Sequence, residues 1–226
     1  MSALDQTVLE MFNHLVQKHP ELARTLEQLA GMAQGPESSD LEHWRARGFA
    51  APSPNFIKRA TVLRNGLPNA TWVETGTYKG ETTELLAQNS PMVYSIEPAP
   101  SLYAEAQQKF AATSNVEIIN APSETALPEL LPKLSGDISF WLDGHNSGGV
   151  TFKGPNDTPI VEELQCISQH LGRFEKVVVL IDDIRLFNGR IYTYGPYPSR
   201  DYLVDWAREH QMTWHIEQDI FVCKNF

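Results

Sequence analysis

The stretch Trp72-Val73-Glu74-Thr75-Gly76-Thr77-Tyr78-Lys79-Gly80-Glu81-Thr82-Thr83, followed by Val93-Tyr94-Ser95-Ile96-Glu97, decides the fold. Short apolar runs lead into Glu74 and Glu97, and between them Glu81 to Asn89 has the spacing of a helix that turns Leu85 and Leu86 inward. The unit is therefore strand, glycine turn, helix, strand. In such a unit Gly76 allows the turn and lets backbone approach a ligand, while an acidic residue about 20 positions on accepts hydrogen bonds from ribose hydroxyls. Glu97 stands 21 residues after Gly76, a spacing that points to a nucleoside-bearing cofactor.

The same alternation continues along the chain. Strands are expected at Thr71 to Glu74, Met92 to Glu97, Val116 to Asn120, Ile138 to Asp143 and Lys176 to Asp182. Helical spacing fills the intervals at Ser101 to Ala112, Ser123 to Leu134 and Thr158 to Leu171, with Pro128 and Pro132 making the second irregular. Strand and helix in turn imply a parallel sheet covered on both faces. The tail differs: after a helix from Ser199 to His210, the β-prone runs Met212 to Glu217 and Ile220 to Lys224 flank Gln218-Asp219, the pattern of a closing antiparallel hairpin.

Upstream, Leu4, Val8, Met11, Phe12 and Leu15 recur at helical spacing, and Leu22, Leu26 and Leu29 do so again after His19-Pro20. Gly35 to Asp40 is polar and turn-forming, and Leu41 to Arg47 has the length of a short helix. Beyond Pro52 and Pro54, the residues Phe56, Ile57, Ala60 and Leu63 mark a helix leading into the first strand. Residues 1–51 thus read as a helical arm with its linker, and residues 52–226 as the α/β domain.

Eighteen basic against 28 acidic residues in a chain of 226 give a net charge of −10. That balance argues against a nonspecific grip on nucleic acid and against anionic membrane surfaces, leaving a small molecule or a protein as partner. The first residues, Met-Ser-Ala-Leu-Asp, lack a basic segment followed by an apolar one, and the aliphatic run Val177 to Ile181 is too short to span a bilayer, so a cytoplasmic location is expected. Cys166 and Cys223 lack metal-site spacing and read as small buried hydrophobes.

The turn itself has the form E-x-G-x-x-x-G, not the G-x-G-x-x-G that brings backbone onto a pyrophosphate. Glu74 would repel a phosphate and favour positive charge. This form resembles the first motif of class I S-adenosylmethionine-dependent methyltransferases, whose cofactor carries a sulfonium and no phosphate. The resemblance implies a Rossmann-like doubly wound sheet of mainly parallel strands, with the last strand inserted antiparallel. It also implies cofactor contacts at Glu74, Thr75, Gly76, Thr77, Gly80, Glu97 and Asp143, and adenine contacts at Ser123 and Glu124 after the third strand. An ordinary tight turn in an α/β protein has the same residues, and Ser123 also suits a helix N-cap.

Trp141-Leu142-Asp143-Gly144-His145-Asn146 and Leu180-Ile181-Asp182-Asp183 bring carboxylates to the ends of the fourth and fifth strands, where open α/β sheets bind ligands. Three uncompensated carboxylates raise one another's pKa unless a cation sits among them, and a hard ion such as Mg²⁺ relieves the repulsion through oxygen ligation. Asp143, Asp182 and Asp183 resemble the metal site of catechol-type and of macrolide- or aminocoumarin-sugar O-methyltransferases. The sugar enzymes place a general base two residues after the strand-four aspartate, here His145, whereas the lysine base of the catechol type is replaced by Asn146. The alternative remains that Asp182 caps a helix and Asp183 is solvated.

Glycine-rich Ser147 to Ile160 is a candidate lid over the site, and Tyr192-Thr193-Tyr194-Gly195-Pro196-Tyr197-Pro198 a candidate enclosure for a sugar or aromatic acceptor. The motifs Trp-Leu-Asp-Gly-His-Asn-Ser-Gly-Gly, Asp157 to Leu164 and Ile181 to Phe187 are similar to a group of bacterial methyltransferases of unassigned substrate, over residues 70–226. The expectation is methyl transfer to an oxygen of a small acceptor, with Mg²⁺ assisting and the arm serving as pocket cover or homo-oligomer contact. Two alternatives stay open: a nicotinamide-dependent oxidoreductase on a similar sheet, and a non-catalytic S-adenosylmethionine-binding regulatory protein.

Overall fold

A computed structural model describes residues 36–144, 158–189, 191–192 and 195–226. The expected helices at Leu4 to Leu15 and Leu22 to Leu29, together with His145, Asn146 and most of the glycine-rich loop, lie outside the described residues. The chain divides into two compact units, Met1–Ala50 and Ala51–Phe226. Within the first, helix α1 spans Pro36–Ala46, so most of the polar stretch expected to be a linker is helical. Proline at the start of a helix gives up no hydrogen bond, which is why turn-forming residues here open a helix. The Trp44 indole donates to the Ala50 carbonyl at 3.0 Å and meets Phe49 edge-on.

The second unit is built as α2 (Asn55–Asn65), β1 (Thr71–Thr75), α3 (Glu81–Asn89), β2 (Met92–Ile96), α4 (Pro100–Lys109), β3 (Val116–Ile119), α5 (Ser123–Leu130), β4 (Gly136–Leu142), α6 (Ile160–His170), β5 (Phe174–Ile181), the two-residue strands β6 (Ile191–Tyr192) and β7 (Gly195–Pro196), α7 (Arg200–Glu209), β8 (Thr213–Glu217) and β9 (Ile220–Lys224). Seven strands form one sheet in the order β3-β2-β1-β4-β5-β9-β8. The first five are parallel, and β9 enters antiparallel beside β5, pairing Ile181 with Phe221. This is the expected α/β sheet with its terminal hairpin. Gln218 and Asp219 both take left-handed φ, 49° and 69°, the backbone that a two-residue hairpin turn demands.

Alternation along the central strands produces the two covered faces. Phe140 and Leu142 of β4 and Val177, Val179 and Ile181 of β5 pack with Leu127, Leu164 and Ile167 of α5 and α6. Trp141, Val178 and Leu180 point the other way, against Val62 of α2 and Leu86 of α3. Each fully buried aliphatic side chain contributes about 1.5–3 kcal/mol, so both faces are held by many comparable contacts. Cys166 and Cys223 are buried free thiols within the first cluster, as expected. Among the described residues no helix is long and apolar enough to cross a membrane.

The helix expected ahead of the first strand is present as α2, and its buried face is mainly polar. The buried residues are Lys58, Thr61, Val62 and Asn65, while Phe56, Ile57 and Leu63 are half-buried and Ala60 is exposed. The buried polar groups are satisfied: Thr61 donates to the Ile57 carbonyl, Asn65 to the Thr61 carbonyl and to Glu217, and Lys58 to two aspartates. Polar side chains with partners can replace apolar ones on a helix's inner face.

Candidate functional site

The strand ladder continues one residue past the strand ends and sets four positions in a row. The amide of Gly76 donates to the Ile96 carbonyl, Glu97 to Ile119, Asp143 to Thr75 and Asp182 to Leu142, at 2.9–3.1 Å. These residues therefore lie side by side at the carboxyl edge, where the order turns from β1-β2-β3 on one side to β4-β5 on the other. That reversal is the switch point at which open sheets leave a crevice. A cleft of about 260 Å³ opens there, lined by Gly76, Thr77, Tyr78, Lys79, Asp143 and Asp182, with Lys58 and Arg59 from α2.

Gly76 holds φ +90°, and a Cβ on it would stand 2.6 Å from the Asp143 carbonyl oxygen, so only glycine fits. Thr77 fixes the turn from below through a 2.6 Å bond between its hydroxyl and that of Ser95. Glu97 lies at the end of β2 as expected. The Tyr78 amide donates to its Oε2 at 2.8 Å and the Ala99 amide to its Oε1 at 3.0 Å. Burial raises the Glu97 carboxyl while these amides pull it down. A carboxylate has about four acceptor positions, so two are not taken by these amides; Glu97 is buried and, like Glu74, is not among the residues lining the cleft.

The other expected contacts are not among the residues lining this cleft. Glu74 is buried under the turn, where Thr83 and Ser95 hydroxyls donate to its Oε2 at 2.5 and 2.6 Å. It is not among the residues lining the cleft, and burial pushes its carboxyl up to about 7. Its place beneath the loop suits it to shaping the turn. Gly80 caps α3 in the left-handed region and faces the Phe110 ring rather than the cleft. Thr75 is wholly buried, close to Gly144. Ser123 is the first residue of α5, whose N-cap is Pro122, so the alternative that it caps this helix does not hold. With Thr75 it opposes the upward shift of Glu163, which burial carries to about 7. Glu124, half-buried in the first turn of α5, lies beside it.

The aspartates meet cations already in the chain. Lys58 Nζ lies 2.6 and 2.9 Å from the two oxygens of Asp182 and 2.8 Å from Asp183 Oδ1. Among the described residues, the carboxylates within 4.8 Å of one another are Asp182, Asp183 and Asp219, and Asp143 is not in that group. Asp219 comes from the β8–β9 turn, and Arg185 bridges it to Asp183. Asp182 caps no helix and Asp183 is not solvated: both are buried, and the Asp182 carboxyl is raised by burial and by Asp143 and Asp183, against the pull of Lys58. The expected metal set thus does not assemble: a divalent ion held by Asp182 and Asp183 would have to displace the Lys58 ammonium. Lys58, Arg185 and Asp219 carried no signal in the sequence, because each becomes part of the cluster only through contacts far along the chain.

Past Asp143 and Asp182, on the other side of the cleft, a cavity of about 20 Å³ is bounded by Thr158, Glu163, Phe187 and Tyr197. Tyr197 is a buried residue, edge-on to Phe187 at 5.1 Å, with its phenol pushed up to about 12 by burial. It belongs to the wall of the site rather than to an open aromatic loop; Thr193 and Tyr194 lie outside the described residues.

No protein-family model matches the chain, and no curated protein matches it. Among solved structures it is similar to the SAH-bound methyltransferase PaMTH1 of Podospora anserina, with a TM-score of 0.52 and 14% identity over 90% of this chain and 95% of that one. It is also similar to the N-methyltransferase NodS from Bradyrhizobium japonicum, with a TM-score of 0.51 and 12% identity over 75% of this chain and 93% of the other. At such identities the likeness is one of fold: the chain has the Rossmann-like fold of methyltransferases.

Proposed function

We propose that the chain transfers a methyl group from S-adenosylmethionine to an oxygen of a small acceptor, a sugar or an aromatic hydroxyl. The observation that carries this reading is the carboxyl edge itself, where Glu97 is preset by two amides while Gly76 and Asp143 close the floor of the cleft. The fold shared with an SAH-bound methyltransferase supports it. Oxygen as the acceptor atom rests on Asp143 and His145 after the fourth strand, whose spacing resembles that of the sugar O-methyltransferases.

In this reading Glu97 accepts the ribose hydroxyls, the Gly76–Thr77 backbone meets the amino acid end, and Ser123 and Glu124 flank the adenine. Asp143, which lines the cleft, would be a further cofactor contact. His145, two residues on, takes the acceptor's proton as its oxygen attacks. When bound, the cofactor supplies an electrophilic methyl group, so the protein's work is alignment, exclusion of water and removal of one proton.

Calorimetry with S-adenosylhomocysteine tests the binding half, and transfer of labelled methyl across a panel of hydroxylated acceptors tests the catalytic half. Binding of a nicotinamide dinucleotide with no response to S-adenosylhomocysteine would overturn the reading.

A further inference from the structure

The buried face of α2 delivers an ammonium into the carboxylates at the ends of β5 and of the β8–β9 turn. Lys58 Nζ contacts both oxygens of Asp182 and one of Asp183, and lies 4.0 Å from Asp219. Arg185 closes the other side through Asp183 and Asp219. Two fixed cations therefore stand among three carboxylates. A Mg²⁺ ion binds oxygens at about 2.0–2.1 Å in near-octahedral geometry. Placed between Asp182 and Asp183, it would share its position with the ammonium nitrogen and repel it.

We propose that Lys58 is the resident cation of this cluster and excludes a divalent metal from it. The ammonium does what a metal would do for the carboxylates: it offsets their mutual repulsion and fixes their oxygens beside the cleft, which it also lines. Because it is tethered to α2, the arrangement does not depend on the concentration of a free ion. This role is independent of the methyl-transfer reading, since cation binding is measured with neither cofactor nor acceptor present.

The test uses the full-length chain and Mn²⁺ as probe, with bound ion read by electron paramagnetic resonance. The wild type should show no Mn²⁺ binding that Asp182→Asn removes. Lys58→Ala should open the cluster and tighten Mn²⁺ binding by about tenfold or more, and adding Asp182→Asn should abolish the gain. Lys58→Arg, which retains the charge, should behave as the wild type. If Lys58→Ala loses its fold, Lys58→Met, with its comparable stem, makes the same comparison. Wild-type binding that depends on Asp182, or no gain in a folded Lys58 variant, overturns the proposal.

Discussion

A side-chain carbon on Gly76 would stand 2.6 Å from the main-chain oxygen of Asp143. The two residues meet because β1 and β4 run side by side, pairing Thr75 with Leu142, so the next residue of each strand is pressed against the other. Gly76→Ala must both enter a left-handed backbone and push β4 aside. The expected cost is about 1–3 kcal/mol from the backbone alone, which in a domain of this size lowers the melting temperature by roughly 2–4 °C per kcal/mol. Affinity for S-adenosylhomocysteine should fall as well. A variant that melts and binds like the wild type would show that the close contact is not maintained.

Glu97 offers a sharper test of the cofactor reading, because its two amide partners fix the carboxylate before any ligand arrives. Loss of a hydrogen bond to a charged group costs about 1.5–3 kcal/mol, so Glu97→Ala should weaken S-adenosylhomocysteine binding by roughly tenfold or more in calorimetry. Unchanged affinity would remove Glu97 from the ribose position.

Glu74 makes stability depend on pH. Burial holds its carboxyl at about 7 in the folded chain against 4.5 unperturbed, so between these values the native state keeps a proton that the unfolded chain releases. Its contribution is complete below 4.5, declines as pH rises through the window and is gone above 7. At about 1.4 kcal/mol per unit, the decline amounts to roughly 3 kcal/mol. Glu74→Gln has no such proton to lose. Denaturant unfolding at pH 5 and pH 7.5 should therefore show a smaller fall for the variant, and parallel curves would refute the shift.

How much was legible depends on the range of the contacts concerned. The strands and the hairpin were readable because apolar runs and a two-residue turn are local patterns, and Glu97 because its distance from Gly76 is set by one helix. The inner face of α2 was not. Phe56, Ile57, Ala60 and Leu63 make the apolar stripe, yet Lys58 goes inward because Asp182, 124 residues away, supplies its partner. Asp219 read only as a turn residue for the same reason. The convergence of Asp143 and Asp182 was visible from their places at strand ends, but what neutralises Asp182 depended on a helix and a hairpin that no spacing connects.

Asp219 joins the hairpin to the cluster. Its carboxylate accepts from the Arg185 amide at 2.9 Å and from the guanidinium, and its own carbonyl accepts from Ile184. Asp219→Ala leaves the half-buried guanidinium with one carboxylate fewer and puts alanine at φ +69°. We expect a loss of about 2–3 kcal/mol, read by chemical denaturation. Asp219→Gly relieves the backbone and should recover only part of it, because the charge pairing stays lost. Full recovery in the glycine variant would make the turn, not the ion pair, the source of stability.

His145 follows Asp143 by two residues and lies outside the described part of the chain, so its role is tested by function. Methyl transfer to oxygen requires that a proton leave the acceptor as the new bond forms, whereas cofactor binding requires no such transfer. His145→Ala should therefore lower turnover by about 10²- to 10⁴-fold on whichever hydroxylated acceptor is found, with S-adenosylhomocysteine affinity unchanged in calorimetry. Gly76→Ala should show the opposite order, losing affinity first. If His145→Ala keeps full turnover, the proton leaves by another route; if it loses cofactor affinity instead, the histidine belongs to the binding surface and the assignment as base fails.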